Sequence, residues 1–193
     1  SLAIGDLNGD GKLDLVFGLG TPPGSATSTP APNRIYFNDG TAHFPLVLPL
    51  DSASDDTQDV ALGDLDADGN LDIVVANSQE TKGQEQGKQN FLYFNDGSGR
   101  FWEKRPLGSG IDRSRSVAVG DLNGDGSLDL VVGNYGQLNV AYYNDGAGHF
   151  GQTQPLGQFL DNTTKMLLVD LNHDRALDII AANDQQADAV YLN

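Results

Sequence analysis

The sequence predicts an all-β protein: a β-propeller made of four four-stranded antiparallel blades, in which the last blade lacks its outer strand. Three observations lead to this prediction. An apolar phrase recurs four times, each copy runs into an acidic loop, and short β-type runs separate the copies. Apolar residues show no 3.6-residue periodicity, so a helical solenoid is disfavoured as the repeat architecture.

The first strand of each repeat is an apolar phrase that ends at an aspartate. These aspartates recur at intervals of roughly 50–60 residues, as Asp6, Asp64, Asp121 and Asp170. A second apolar run follows each loop, and a third run ends in Asn38, Asn95, Asn144 or Asn193. The fourth run carries proline or charge, which suits an exposed outer edge. Four short strands per repeat are typical of a propeller blade.

The repeats predict a single propeller domain over residues 1–193. Its blades are expected at approximately 1–50, 51–107, 108–156 and 157–193. Three arrangements of the ring remain open. They are a ring that closes with four blades, a homo-oligomer in which two chains complete an eight-bladed ring, and a fragment of a longer natural chain.

Composition excludes several classes of partner and site. The formal net charge of −16 makes nucleic acid and anionic membranes poor partners. No apolar run is long enough for a transmembrane helix, so membrane insertion is not expected. Cysteine is absent, which excludes disulfides and thiolate metal sites. Nearly half of the 27 acidic residues lie in the four loops, and this concentration indicates bound cations.

The four loops place side-chain oxygens at the first, third, fifth and ninth positions. These residues are Asp6, Asn8, Asp10 and Asp14; Asp64, Asp66, Asp68 and Asp72; Asp121, Asn123, Asp125 and Asp129; and Asp170, Asn172, Asp174 and Asp178. The seventh residue of each loop offers a backbone carbonyl, at Lys12, Asn70, Ser127 and Ala176. Calcium takes six to eight hard oxygen ligands. Zinc prefers nitrogen or sulfur, and magnesium keeps several waters, so calcium fits this pattern best.

The simplest alternative is that the loops are only Asp-Gly and Asn-Gly hairpin turns. Such a turn needs one dipeptide, whereas crowded carboxylates repel one another without a cation. The fourth loop departs from the pattern because Arg175 replaces the glycine of the sixth position. We therefore expect three to four calcium ions. Extracellular calcium modules bind at roughly 10⁻⁴–10⁻³ M, so we expect a secreted or cell-surface protein.

The residues from Val117 to Asp129, with those from Tyr143 to Phe150, resemble the FG-GAP/VCBS repeat. The chain is similar to the calcium-bearing propellers of integrin α-subunits and to related lectins. This resemblance implies calcium at the loop residues and a role in adhesion or carbohydrate recognition. Integrin-like propellers usually have seven blades, so four blades depart from that pattern. Some relatives adapt the propeller to lyase or dehydratase chemistry.

Strand alternation places the acidic loops on one face and the variable loops on the other. On this second face, Arg113 and Arg115 are candidates to grip a carboxylate or sugar hydroxyls, and Tyr135 is a candidate aromatic platform. The simpler interpretation is that they are solvated loop residues. No catalytic constellation is visible, so we expect a module that binds carbohydrate or an extracellular protein and is not an enzyme. The alternatives are a lyase or dehydratase propeller and a structural spacer.

Overall fold

The computed structural model describes residues 1–20, 31–52, 55–79 and 86–193, and all their regular structure is β. No helix in these ranges is long and apolar enough to cross a membrane. The strands are β1 (Leu2–Gly5), β2 (Asp14–Phe17), β3 (Arg34–Phe37), β4 (Leu46–Pro49), β5 (Thr57–Gly63), β6 (Asp72–Gln79), β7 (Gln86–Gly87), β8 (Asn90–Phe94), β9 (Glu103–Leu107), β10 (Ser114–Gly120), β11 (Asp129–Tyr143), β12 (Gln152–Val169), β13 (Asp178–Asn183) and β14 (Ala189–Tyr191).

The strands form three antiparallel sheets that follow chain order. The first has the order β1-β2-β3-β4, and the second has the order β5-β6-β8-β9 with β7 paired to β6. The third has the order β10-β11-β12-β13-β14. Such meandering sheets confirm the predicted all-β, propeller-like class, and within the described residues they form no closed ring. We call β1–β4 unit 1, β5–β9 unit 2, β10 to residue 156 unit 3, and residues 157–193 unit 4.

Two long strands differ from the four short runs per repeat that the sequence predicts. Strand β11 continues through the connection at Gly136, and β12 runs from the outer edge of unit 3 into the first strand of unit 4. Register shifts between Tyr135 and Gln137, and again between Gln137 and Asn139, bend this pairing. Gly136 has a φ of 68°, which its missing Cβ permits. The connection within β11 and the one between units 3 and 4 within β12 are therefore assigned as strand.

The apolar core lies between successive units. The strands carry apolar residues on the faces that pack against a neighbouring unit. Three buried clusters result, and each draws from two adjacent units. They contain Leu7, Val16 and Ile35 with Val60, Ile73 and Tyr93; Leu65, Val74 and Leu92 with Val117, Leu130 and Val132; and Leu122, Val131 and Leu156 with Met166, Ile179 and Ala181.

A repeated polar network joins the units on the side away from the acidic loops. The buried amide of Asn33 donates to the Thr57 hydroxyl at 2.9 Å, and that hydroxyl donates to Asn77 at 2.8 Å. The same arrangement recurs twice, as Asn90–Ser114–Asn134 and as Asn139–Thr163–Asn183. The first bond of each network joins two successive units, and the second bond lies within the following unit. The network therefore fixes the position of one unit relative to the next.

Asp59 connects the first strands of all four units. It is buried and accepts hydrogen bonds from the hydroxyls of Ser1 at 2.7 Å and Ser116 at 2.9 Å, and from the Lys165 ammonium at 2.7 Å. These four residues occupy the same position, immediately before the apolar phrase of their own unit. Burial opposes the charged form of Asp59, but Lys165 and the hydroxyls outweigh it, so its pKa is lowered.

We expect Asp59→Asn to lower the free energy of unfolding by about 1–3 kcal/mol at neutral pH, because it removes the charge that pairs with Lys165. A lowered folded-state pKa means that the carboxylate contributes stability above its unfolded pKa, and that this contribution is lost as pH falls through the folded value. The difference between the two proteins should therefore shrink in acid. Urea unfolding in EGTA, from about pH 7 to pH 3, measures it. A difference in the free energy of unfolding that does not change with pH would contradict this role of Asp59. Asp188→Asn, at an exposed position, serves as the control.

Candidate metal centre

Each acidic loop is anchored by the aspartate at its ninth position. Asp14, Asp72, Asp129 and Asp178 begin the second strands of their units and have no exposed surface. One oxygen of Asp72 accepts the backbone N–H of Leu65 at 2.9 Å, and the other accepts that of Asn95 at 2.9 Å. The same pair of bonds occurs in the other three loops. The carboxylate thus joins its loop to the third strand, and each oxygen keeps a second lone pair.

The first and fifth residues give the four loops one backbone shape. The first aspartate accepts the N–H of the sixth residue at 2.8–3.1 Å in every loop. The fifth aspartate accepts the N–H of the seventh residue at 2.7–3.0 Å. These local bonds curl each loop. Among the described residues, three carboxylates whose oxygens lie within 4.8 Å of one another occur only in the second loop.

Left-handed backbone is required at the sixth position and also at the fourth. The sixth residues are Gly11, Gly69 and Gly126, with φ from 81° to 90°, and Arg175 at 78°. The fourth residues are Gly9, Ala67, Gly124 and His173, with φ from 61° to 73°. The fourth loop therefore holds two non-glycine residues in this region, at a cost of about 1–2 kcal/mol each. The sequence indicated the strain at Arg175 but not the one at His173.

The second loop differs in its third residue. In the other loops this residue is asparagine, whose amide donates to the fifth aspartate at 2.7–3.3 Å. Asp66 has no N–H to donate, and its Oδ1 is buried without a hydrogen-bond partner. One carboxylate oxygen from each of Asp64, Asp66 and Asp72 lies within 4.8 Å of the others. A buried carboxylate oxygen without a partner, among carboxylates, fits a hard cation.

The electrostatics of this loop reflect crowded negative charge. Burial, together with the charges of Asp68 and Asp64, raises the pKa of Asp66. Burial raises the pKa of Asp72 to about 7, and the neighbouring charges of Asp66 and Asp68 add to it. Backbone N–H donors from Asn95 and Leu65 oppose this shift without cancelling it. The charge of Arg105 lowers the pKa of Asp66 but does not cancel the effects of burial and of the neighbouring carboxylates.

The asparagine that closes each third strand has a role that sequence reasoning missed. The Asn95 amide donates to the carbonyls of Leu71 in its own loop, at 3.1 Å, and of Leu7 in the preceding loop, at 2.8 Å. Asn144 bonds Leu128 and Leu65 in the same way, and Asn193 bonds Leu122. The repeated asparagine was visible in the sequence, but a bond between units needs the spatial arrangement to be seen.

Arg113, Arg115 and Tyr135 lie at the end of unit 3 opposite its acidic loop. The guanidinium carbons of Arg113 and Arg115 are 5.1 Å and 4.4 Å from the centre of the Tyr135 ring. The Nε of Arg113 is buried without a hydrogen-bond partner, while its backbone N–H donates to Gln137. The Tyr135 hydroxyl lies 3.5 Å from a carboxylate oxygen of Asp184 in unit 4. The structure therefore brings the three candidate ligand residues into one cluster.

Comparison with known proteins identifies one family model. The model, described as FG-GAP-like repeat, matches residues 6–75, 81–132 and 121–181, which together cover most of the chain. No curated protein sequence matches the chain.

Two solved structures that match the chain share little sequence with it. An Agrocybe aegerita lectin, described with specific recognition of non-reducing terminal N-acetylglucosamine, is 18% identical with a TM-score of 0.34. The match covers 94% of this chain and 60% of the lectin chain, so this chain spans about 60% of that protein. A structure of BBS1N in complex with ARL6DN is 15% identical, with a TM-score of 0.35 and coverages of 98% and 76%. At these TM-scores neither similarity carries an argument.

Proposed function

We propose that this chain, which belongs to the FG-GAP-like repeat family, is a calcium-stabilised recognition module of the cell exterior. The observation that carries the calcium part is the buried, unpartnered oxygen of Asp66 beside Asp64 and Asp72. The donors are all hard oxygens, which favours calcium over zinc. Burial and, to a smaller extent, neighbouring negative charge raise the pKa values of Asp66 and Asp72, and a bound divalent cation would favour the ionised form of both carboxylates.

The residues proposed to hold calcium are the same four positions in each loop, with the seventh carbonyl added. In the second loop these are Asp64, Asp66, Asp68, Asp72 and the carbonyl of Asn70. The ninth aspartate keeps a free lone pair on each oxygen, so it can bind an ion while it retains its backbone bonds. In the fourth loop the Arg175 charge and two strained residues weaken binding, which gives three to four ions in total.

The proposed calcium dependence favours a location where calcium is abundant. Loops of this exposed kind bind at roughly 10⁻⁴–10⁻³ M in extracellular modules, and such sites are empty in a resting cytosol. The acidic surface also suits a protein that stays in solution and avoids nucleic acid. We therefore propose a secreted or cell-surface location.

The ligand is proposed to bind at the cluster of Arg113, Arg115 and Tyr135. Two guanidinium groups beside one aromatic ring offer planar donors for a carboxylate or sugar hydroxyls, and a face for the apolar side of a sugar. This chemistry suits a carbohydrate or the surface of an extracellular protein, bound for adhesion without turnover. The alternatives are lyase or dehydratase chemistry and a structural spacer.

Asp66→Asn tests the calcium proposal within one loop. We expect the Tm of the native protein to fall when EGTA removes calcium, since each site contributes about 2.7 kcal/mol at free calcium 100-fold above its Kd. The substitution gives the second loop the asparagine that the other loops carry at their third position. The variant should therefore bind calcium more weakly there and melt higher than the native protein in EGTA. The difference between the Tm in calcium and the Tm in EGTA should be smaller for the variant than for the native protein. Scanning calorimetry measures both Tm values.

The control for this measurement is Asp188→Asn, which removes a carboxylate outside the acidic loops. The difference between its Tm in calcium and its Tm in EGTA should equal that of the native protein. An Asp66→Asn protein whose Tm difference between calcium and EGTA equals that of the native protein would contradict the proposed role of Asp66 in calcium binding.

The ligand cluster is tested by binding the native protein to immobilised glycans and extracellular-matrix proteins in calcium. We expect Arg113→Ala and Tyr135→Ala to weaken binding at least tenfold, about 1.4 kcal/mol, with unchanged Tm. Arg100→Ala, in the turn between β8 and β9, is the control and should bind as the native protein does. Glycans should be recovered intact. Shortened polyuronide chains would favour the lyase alternative, and no binding to any probe would favour the spacer.

A further inference from the structure

Two grooves of equivalent construction lie where the outer strand of one unit meets a turn of the next unit. Groove A, between units 1 and 2, is lined by Leu48 of β4 on one side and by Gly99 and Trp102 on the other, with a volume of about 400 Å³. Groove B, between units 2 and 3, is lined by Arg105 of β9 and by Gly148, with a volume of about 300 Å³. Leu48 and Arg105 hold the same register position on their outer strands.

The turns that wall the two grooves sit on the preceding unit in the same way. A Cβ added to Gly99 would lie 2.5 Å from the ring of Phe37, and one added to Gly148 would lie 2.5 Å from the ring of Phe94. Each turn therefore packs its backbone directly on the last phenylalanine of the third strand before it. Because the backbones match, the two grooves differ mainly in the side chains that line them.

Groove B shows how this site holds a guanidinium group. The guanidinium carbon of Arg105 lies 4.1 Å from the centre of the Phe94 ring. One Nη of Arg105 donates to the carbonyls of Ala147 at 3.2 Å and of Gly148 at 3.1 Å, and its Nε donates to Glu103 at 2.6 Å. The arginine of unit 2 thus crosses the groove and bonds the turn of unit 3.

Groove A keeps the acceptors of groove B but has no arginine of its own. Ser98 and Gly99 stand where groove B has Ala147 and Gly148. Within the described residues, the carbonyls of Ser98 and Gly99 accept no hydrogen bond. Leu48 replaces the arginine and has no donor to offer. Gly99 is buried, and a backbone carbonyl without a partner is unfavourable where water is excluded.

Groove A also has an aromatic wall that groove B lacks. Trp102 is 76% exposed, whereas the equivalent residue beside groove B is Gly151. The indole N–H donates to the Asp96 carboxylate at 3.2 Å, which fixes the ring. Arg100 lies with its guanidinium carbon 5.8 Å from the centre of this ring and interacts with the same carboxylate. The exposed side chain of Leu46 extends the apolar surface.

We propose that groove A binds an arginine side chain of a partner polypeptide, which donates to the carbonyls of Ser98 and Gly99 as Arg105 does in groove B. An apolar residue beside that arginine packs on Trp102 and Leu48. The formal net charge of −16 favours the approach of a basic segment. Groove A is separate from the ligand cluster of unit 3, so a failure of either site leaves the other standing.

The fluorescence of Trp102, the only tryptophan of the chain, measures this binding. The probes are the acetylated and amidated tripeptides Leu-Arg-Leu, Leu-Lys-Leu and Leu-Gln-Leu, in calcium and at equal ionic strength. Leu-Arg-Leu should change the emission at concentrations about tenfold lower than Leu-Gln-Leu does. Leu-Lys-Leu should bind more weakly than Leu-Arg-Leu, because an ammonium group lacks the planar fork of donors.

Three results of this titration would overturn the proposal. They are an emission that Leu-Arg-Leu does not change, equal affinities for Leu-Arg-Leu and Leu-Gln-Leu, and a response to a neutral monosaccharide without a response to any of the peptides. The last result would assign groove A to sugars.

Leu46→Glu/Leu48→Arg gives β4 the Glu103–Arg105 pair of β9, so the variant should fill groove A with its own arginine. We expect this protein to lose the response to Leu-Arg-Leu while its Tm stays at or above that of the native protein. Val47→Arg, whose side chain lies on the opposite face of β4, is the matched control and should respond as the native protein does. A double variant that binds Leu-Arg-Leu with native affinity would contradict the proposal.

Trp102→Gly covers the case in which the double variant fails to fold. It gives groove A the residue that stands beside groove B, at a position that is exposed. Isothermal titration calorimetry should show an affinity for Leu-Arg-Leu about fourfold lower, the equivalent of one buried methylene group. An affinity equal to that of the native protein would overturn the proposal without the double variant.

Discussion

The structure depends on four carboxylates buried without exposed surface at the start of the second strands. Asp14, Asp72, Asp129 and Asp178 would be costly in this environment if they were not hydrogen-bonded. Each accepts one N–H from its acidic loop and one from the third strand, so it holds three segments of a unit together. In units 2, 3 and 4 the asparagine that donates this second bond also reaches the preceding loop, which extends the same constraint from one unit to the next.

Much of this arrangement could be predicted from the sequence because it repeats. Recurring apolar runs predicted the strands, and oxygen-bearing residues at fixed spacing predicted the acidic loops, of which the second gathers the carboxylates of Asp64, Asp66 and Asp72. Other features could not be predicted because they depend on three-dimensional neighbours. The left-handed backbone at Ala67 and His173 has no glycine to indicate it, and the bond from Asn95 to Leu7 joins residues far apart in the chain.

The two faces of the chain carry different chemistry because strand alternation separates them. The acidic loops lie at one end of each first strand, and the cluster of Arg113, Arg115 and Tyr135 lies at the other end in unit 3. Asp59 joins the four first strands near that second end through Ser1, Ser116 and Lys165. In the function we propose, cations stiffen one face while the opposite face remains available to a ligand.

Native mass spectrometry of the intact chain, in calcium and after exhaustive EGTA dialysis, tests the central claim most directly. The account predicts three or four bound calcium ions per chain, all of them removed by EGTA, with weaker retention at the loop that contains Arg175. A chain with the same mass in both conditions would contradict it, because the buried oxygen of Asp66 would then have no cation to bind.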